Sequence, residues 1–248
     1  MAQIFAPSAN TLAKVSLLMA AATPLAAFYV GSTISRSPFN TNVKVPLVQP
    51  IPFSHKHHAY ELGIDCRYCH SSVETSAVAG VPPIETCMSC HSQIWTNSPL
   101  LEPLRQSWKT GTPVAWTKVN KVPEFVYFNH SIHIARGINC NECHGPVTRM
   151  QITYKGKPLS MSWCLECHRE PEKYLRKDPA RPDLTPSEQA FELYYKAMRG
   201  EKLSPAEYDL LAGNAYSPSS EDVKQGRELV DKLKVAKEQL MDCWICHR

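Results

Sequence analysis

The sequence predicts a mainly α-helical protein with much irregular structure, in which one N-terminal transmembrane helix precedes a separate folded part. Three observations predict this. The pentapeptide C-x-x-C-H occurs five times and uses all ten cysteines. Residues 15 to 34 form a run of twenty residues without a charge. Twenty prolines stand against ten glycines, which favours stiff loops over a regular sheet or bundle.

The C-x-x-C-H pentapeptide is the attachment signature of c-type haem. Its two thiols add to the vinyl groups of the porphyrin, and the adjacent histidine becomes the proximal iron ligand. The sequence therefore predicts five covalently bound haem c groups. The attaching residues are Cys66, Cys69, Cys87, Cys90, Cys140, Cys143, Cys164, Cys167, Cys243 and Cys246, and the proximal ligands are His70, His91, His144, His168 and His247.

Zinc sites and disulfides are the two alternatives for these cysteines. Zinc would pair C-x-x-C motifs two by two, whereas this chain has five of them. Neither zinc nor a disulfide requires a histidine directly after every second cysteine. The pattern therefore favours haem at all five motifs.

The uncharged stretch at residues 15 to 34 would span roughly 30 Å as a helix, which is the thickness of a bilayer core. It has no polar face, so a buried soluble helix is a poor alternative. A cleavable secretory signal remains open, since Leu25-Ala26-Ala27 offers a weak cleavage context. A retained anchor through the lipid bilayer is favoured, because the leader before Lys14 is long and carries little positive charge. Pro24 is tolerable in a membrane helix.

The chemistry of haem attachment fixes the expected orientation. Cytochrome c maturation takes place outside the cytoplasmic membrane of bacteria. We therefore expect a single-pass protein of that membrane, with the haem-bearing part on the periplasmic or outer side.

A repeat organises the middle of the chain. Residues 53 to 58 and 128 to 133 both have the form F-x-H-x-x-H, and each is followed by a Gly-Ile pair and two C-x-x-C-H motifs. Five histidines lie outside the motifs, and all of them fall in these two stretches. An i, i+3 pair on a helical turn directs both rings to one flank. We therefore expect four of these histidines to be distal iron ligands: His55, His58, His130 and His133. The alternative is that they are surface histidines. Whether each distal histidine serves an iron of its own module or of the other module stays open.

The fifth motif has no matching partner in this repeat. One candidate for its sixth ligand is the remaining histidine, His57, and the other is a methionine thioether, which would raise that haem's potential. Met161 is slightly favoured over Met150, although core packing is the ordinary role of a methionine.

These features divide the chain into five segments. We expect an anchor (1–36), an extended Pro-rich spacer (37–52), a first two-haem module with a linker (53–127), a second two-haem module (128–170) and a helical C-terminal segment with the fifth haem (171–248). Few helical signals occur in 92–127. Helices are predicted at 186–200, 204–211 and 220–241 from their capping and spacing.

The net charge of +4 does not indicate nucleic acid as a partner. Each haem would add two propionates, about ten carboxylates in all for five groups. The loaded protein would then be acidic overall.

The layout of F-x-H-x-x-H and paired C-x-x-C-H motifs resembles the class III multihaem cytochromes over the two modules. Over nearly the whole chain, the anchor together with FSHKHHAYELGIDCRYCH, PPIETCMSCHSQIW, FNHSIHIARGINCNECHG and MSWCLECHR resembles the pentahaem cytochrome c subunit of alternative complex III. That resemblance implies an electron-transfer subunit of a quinol oxidoreductase in the respiratory chain. It also implies an iron–sulfur subunit, other membrane and periplasmic subunits, and a monohaem or soluble electron carrier as partners.

Two further functions are to be weighed against this electron relay. A multihaem reductase, for example of nitrite, needs an open iron, which only the fifth haem would offer. A stand-alone quinol dehydrogenase cytochrome needs its own quinol site, and the sequence shows no second span or intramembrane ionisable group that would supply one. The chain is expected to carry electrons without being catalytic by itself.

Overall fold

The computed structural model describes residues 5–177, 180–214 and 217–247. Within them the chain is mainly helical, and β-pairing is confined to isolated bridges such as the one between Pro46 and Tyr154. The α-helices are α1 (Ala9–Arg36), α2 (Pro38–Thr41), α3 (Cys66–Cys69), α4 (Ile84–His91), α5 (Glu102–Thr110), α6 (His130–Ile134), α7 (Cys140–His144), α8 (Met161–Arg169), α9 (Pro186–Met198), α10 (Pro205–Ala212), α11 (Ser220–Lys232) and α12 (Cys243–Cys246). A π-helix covers Lys56–Glu61, and 3-10 turns cover Pro99–Leu101, Val147–Arg149, Pro171–Lys173 and Gln239–Met241.

The N-terminal compact unit extends to Val43 and is dominated by α1. This helix has 28 residues, none of them buried, and is long and apolar enough to cross a bilayer. It continues through Pro24 and ends at Arg36, and the next residue, Ser37, has the extended backbone that a following proline favours. The predicted single N-terminal apolar helix is confirmed, and it starts before the uncharged stretch.

The second compact unit begins at Lys44 and holds all five motifs. The predicted extended spacer is wrong in part, because α2 forms within it. From Lys44 onward the spacer is bound to the second unit: the Lys44 N–H donates to the Lys155 carbonyl at 2.8 Å. The Gln49 side-chain amide donates to the Thr117 carbonyl and accepts a hydrogen bond from the Thr117 N–H.

Two clusters of apolar side chains form the polypeptide core of this unit. The larger is built on α9, with Ala190, Phe191 and Leu193 packing against Leu210 and Leu211 of α10. The smaller joins Ile51, Leu101 and Leu104. Capping boxes start α9, α10 and α11, at Thr185, Ser204 and Ser219 respectively, as the sequence signals lead one to expect.

One predicted helix boundary and one segment with few helical signals need correction. The helix predicted at 220–241 ends at Lys232, because Lys234 adopts a left-handed backbone with φ 50° and breaks the hydrogen-bond ladder. A short 3-10 turn at Gln239–Met241 follows it. In the segment with few helical signals, α5 forms and stops at Gly111, which takes the left-handed conformation that glycine tolerates.

Candidate metal and cofactor sites

Each C-x-x-C segment folds into a turn of helix. The five motifs form α3, the end of α4, α7, the centre of α8 and α12. Two of these turns are started by side-chain caps, since Asp65 accepts from the Arg67 N–H and Asn139 accepts from the Asn141 N–H. The helical turn sets the two thiols of each motif three residues apart on one face, which is the spacing that attachment to one porphyrin requires.

The two F-x-H-x-x-H stretches face the first four motifs. The His55 and His70 rings lie 6.5 Å apart between centroids and 5° from parallel. For His58 and His91 the values are 6.2 Å and 61°. The second module repeats this arrangement. The His130 and His144 ring centroids lie 6.3 Å apart, with the rings 2° from parallel. The His133 and His168 centroids also lie 6.3 Å apart, with the rings 21° from parallel.

These separations fit a metal ion held between two imidazoles. An imidazole nitrogen binds a first-row metal at about 2 Å, and with ~1 Å more to each ring centre, two opposed ligands have centroids about 6 Å apart. Direct stacking of the same rings would bring them closer, at about 4.5 Å in offset arrangements. The four pairs therefore have the spacing of axial ligand pairs of an iron, and all four lie within their own module.

Hydrogen bonds hold most of these rings in one orientation. The Nδ1 atoms of seven histidines lie 2.7–3.3 Å from backbone carbonyl oxygens. These contacts are His58 to Ser54, His70 to Gly80, His91 to Ile94, His130 to Ala77, His133 to Asn129, His168 to Leu240 and His247 to Phe125. A carbonyl can only accept, so Nδ1 carries the proton and Nε2 keeps its lone pair for a metal.

Burial also keeps several of these rings neutral. It lowers the pKa of His55 and of His144 to about 4, with nearby histidines adding to the effect. Burial lowers the pKa of His133 as well. Neutral imidazole is the form that binds a metal, so no proton has to be displaced at pH 7.

The phenylalanine of each F-x-H-x-x-H stretch packs against both of its histidines. Phe53 stacks on His58 at 4.4 Å and meets His55 edge-on at 5.0 Å. Phe128 stacks on His133 at 4.6 Å and meets His130 edge-on at 4.8 Å. The phenylalanine is part of the sequence repeat, but only the structure shows that its ring packs against both histidine rings of its stretch.

The surroundings of His247 differ from those of the other motif histidines. Its ring lies 5.8 Å from that of Phe125, and the Tyr127 N–H donates to the Cys246 carbonyl at 2.8 Å. Of the three candidate sixth ligands, His57 is bonded to Glu61 at 3.0 Å and stacked on Trp95. Met150 is 2% exposed, in the core, while Met161 begins α8 and is 67% exposed.

A polar network that the sequence did not reveal ties the first motif to α9. The Arg67 guanidinium donates twice to the Asp65 carboxylate, at 2.9 and 3.0 Å, and once to the Tyr195 hydroxyl at 2.7 Å. It also lies over the Phe191 ring at 4.7 Å. Partial burial opposes ionisation of Asp65, but the bonds from Arg67 and Tyr195 outweigh it and lower the pKa of Asp65 to about 2.

Comparison with known proteins places this arrangement among multihaem cytochromes. The family model described as cytochrome c552 matches residues 105–232. The model described as the class III cytochrome C family matches residues 32–99. Both are families of cytochromes c, whose haem is bound covalently through motifs of the kind found here.

A curated relative matches part of this chain, and the chain covers less than half of that relative's length. The multiheme cytochrome c subunit of a menaquinone reductase from Nitratidesulfovibrio vulgaris is 38% identical over 99 residues. The match covers 39% of this chain and 45% of the relative.

Proposed function

Since the chain belongs to the cytochrome c552 family, we propose that it is a membrane-anchored pentahaem cytochrome that relays electrons from a quinol-oxidising membrane complex. The four histidine pairs at 6.2–6.5 Å carry this proposal. An iron with an imidazole on each side has no free position for a substrate, so a bound haem there would take up and pass on single electrons. Backbone carbonyls hold most of the rings by Nδ1 and so keep Nε2 available, and Phe53 and Phe128 pack against the distal rings.

The ligand set that we propose follows from the same pairs. His70, His91, His144, His168 and His247 are the proximal ligands, and His55, His58, His130 and His133 are the distal ligands of the first four haems. The ten cysteines of the motifs attach the five haems. Mass spectrometry of the denatured holoprotein is expected to show five haems per chain; fewer would contradict the count.

We propose that the fifth haem has the thioether of Met161 as its sixth ligand. The α8 helix contacts the 3-10 turn that precedes the fifth motif, through the bond from His168 to the Leu240 carbonyl, and Met161 stands one turn before Cys164. Its exposed side chain is free to reach a haem on that motif, whereas Met150 is packed in the core and His57 is engaged with Glu61 and Trp95.

Near-infrared magnetic circular dichroism tests this ligand. Met161→Ala is expected to abolish the thioether–iron band. Met150→Ala, the matched control, is expected to keep the band while losing about 2–5 kcal/mol of stability through its buried cavity. Absence of the band from the unmodified holoprotein would contradict methionine ligation.

The partners that we propose are those of an alternative complex III type assembly. They are quinol-binding membrane subunits, an iron–sulfur subunit and a monohaem or soluble carrier, with the haem-bearing part on the periplasmic side. The match to a menaquinone reductase subunit supports a link to the quinone pool, and the long apolar α1 supports membrane attachment. Purification in a gentle detergent is expected to recover a complex, and recovery of a lone monomer would contradict this proposal.

Two other functions give different results in simple tests. A reductase with an open fifth haem would show a high-spin ferric signal and would reduce nitrite as the isolated chain. A stand-alone quinol dehydrogenase would oxidise quinol without any other subunit. The proposed relay is expected to do neither.

A further inference from the structure

The contacts between motifs show which haem neighbours which, and this order differs from the order of the motifs along the chain. Within the first module, His55 and His58 stand three residues apart, one facing His70 and the other His91. The Tyr68 hydroxyl of the first motif bonds the Ser89 hydroxyl of the second at 3.0 Å. The first and second haem sites are therefore adjacent.

The second module joins the third and fourth sites in the same way. His130 and His133 lie on one turn, α6, and face His144 and His168. The third and fourth haem sites are adjacent.

The two modules meet through their first motifs. Cys66 and Cys140 both pack on the α9 core cluster. The backbone N–H of His130 donates to the Ala77 carbonyl at 3.2 Å, and its Nδ1 lies 2.9 Å from the same oxygen. Ala77 belongs to the loop that follows the first motif, so the third site adjoins the first.

The fifth motif adjoins the fourth. Nδ1 of His168 lies 3.0 Å from the carbonyl oxygen of Leu240, three residues before Cys243. The 3-10 turn at Gln239–Met241 packs against α8.

We infer that the five haems lie in the order second, first, third, fourth, fifth. The second and fifth haems are then the two ends of the path, where electrons enter and leave the subunit. This inference rests on the proposed pentahaem function and adds the direction in which its sites are connected.

The positions of the irons test the order directly. Anomalous scattering from iron in crystals of the holoprotein is expected to place the third-motif iron nearer to the first-motif iron than to the second-motif iron. The reverse would overturn the inference.

Electron injection tests the order in solution. All ten native cysteines lie in haem motifs, so Glu124→Cys gives a unique thiol for a photoreducing ruthenium label next to Phe125, whose carbonyl contacts His247. In this background His55→Met turns the first haem into a high-potential electron trap, and His58→Met does the same for the second.

The two trap variants carry the same ligand change and control for each other. The proposed order predicts that the first-haem trap is reduced several-fold faster after the flash, because an electron from the fifth-haem end passes the first haem before the second. Equal or reversed rates would overturn the order. If mass spectrometry finds fewer than five haems per chain, the proposed function itself is contradicted. This result is distinguishable from a wrong haem order, which the reduction rates report.

Discussion

In most of the histidines the two ring nitrogens have different roles. Nδ1 is bound to a carbonyl in seven of the ten histidines, and the opposite nitrogen is left for the metal. In the first module the remaining distal histidine, His55, bonds the Thr153 hydroxyl at 3.0 Å instead. A ring held in this way loses little freedom on binding, which favours a tight metal site.

Removing one distal ring tests the assignment of His130. His130→Ala is expected to leave the third-motif iron five-coordinate, so that one haem per protein becomes high-spin and binds carbon monoxide. His57→Ala is the control, because that ring is bonded to Glu61 rather than facing a motif histidine. Visible spectra with and without carbon monoxide measure both; a His130→Ala protein without carbon monoxide binding would contradict the assignment.

The Asp65 network gives a pH dependence with a defined sign. The pKa of Asp65 is lowered from 3.8 to about 2 in the folded protein. Its contribution to stability is therefore complete above pH 3.8 and is lost as the pH falls toward 2. With allowance for solvent screening, Asp65→Asn is expected to cost about 1 kcal/mol at neutral pH and almost nothing near pH 2.

Denaturant unfolding at both pH values measures this difference. Asp242→Asn is the matched control, because Asp242 holds the corresponding position before the fifth motif but makes no side-chain cap. An equal loss from both substitutions would show that the Arg67 network adds nothing.

At the scale of elements, α11 supports the segment that leads to the fifth motif. Gly226 lies against the 3-10 turn at Pro171–Lys173, and a Cβ at this position would collide with the Glu172 carbonyl. Lys237, beyond the helix, bonds the Glu172 carboxylate at 2.8 Å. This contact region therefore fixes the path of the chain between the fourth and fifth motifs.

Filling this contact tests its importance. Gly226→Ala is expected to destabilise the protein by about 1–3 kcal/mol, since the backbone of Glu172 cannot move aside easily. Glu228→Ala, on the exposed side of the same helix, is expected to have little effect. Thermal unfolding compares the two variants. If the Gly226→Ala protein is as stable as the control, the 3-10 turn at Pro171–Lys173 can move to make room for the added methyl group.

The elements also show what the sequence could predict. The mainly helical fold and the N-terminal apolar helix are confirmed, because periodicity, caps and long uncharged runs are local signals. The early end of α11 depends on one left-handed residue, Lys234, and α5 formed without strong local signals. Cys66 and Cys140 pack on the same core cluster although they are far apart in sequence, so no local pattern could indicate this packing.

At the scale of the whole molecule, the four histidine pairs differ in the angle between their rings. Three pairs are within 21° of parallel, and the His58–His91 pair stands at 61°. Near-parallel imidazoles split the iron dxz and dyz orbitals and give a rhombic low-spin signal. Rings turned toward perpendicular remove that splitting and give a more axial signal.

The ferric holoprotein is therefore expected to show one axial low-spin signal beside the rhombic ones in electron paramagnetic resonance. His58→Met should remove the axial signal alone, and His55→Met should leave it in place. Loss of the axial signal in the His55→Met protein would assign it to a different haem.

Cys66 and Cys140 hold equivalent positions in the two repeated modules and pack on one core cluster, so the proposed four-haem path is nearly a palindrome. Read from either end, it passes a second-type site, two first-type sites and another second-type site. A palindromic path has no preferred direction of its own. Any rectification of electron flow must come from what breaks the symmetry: the fifth motif at one end, and the exposed Trp95 beside His57 at the other.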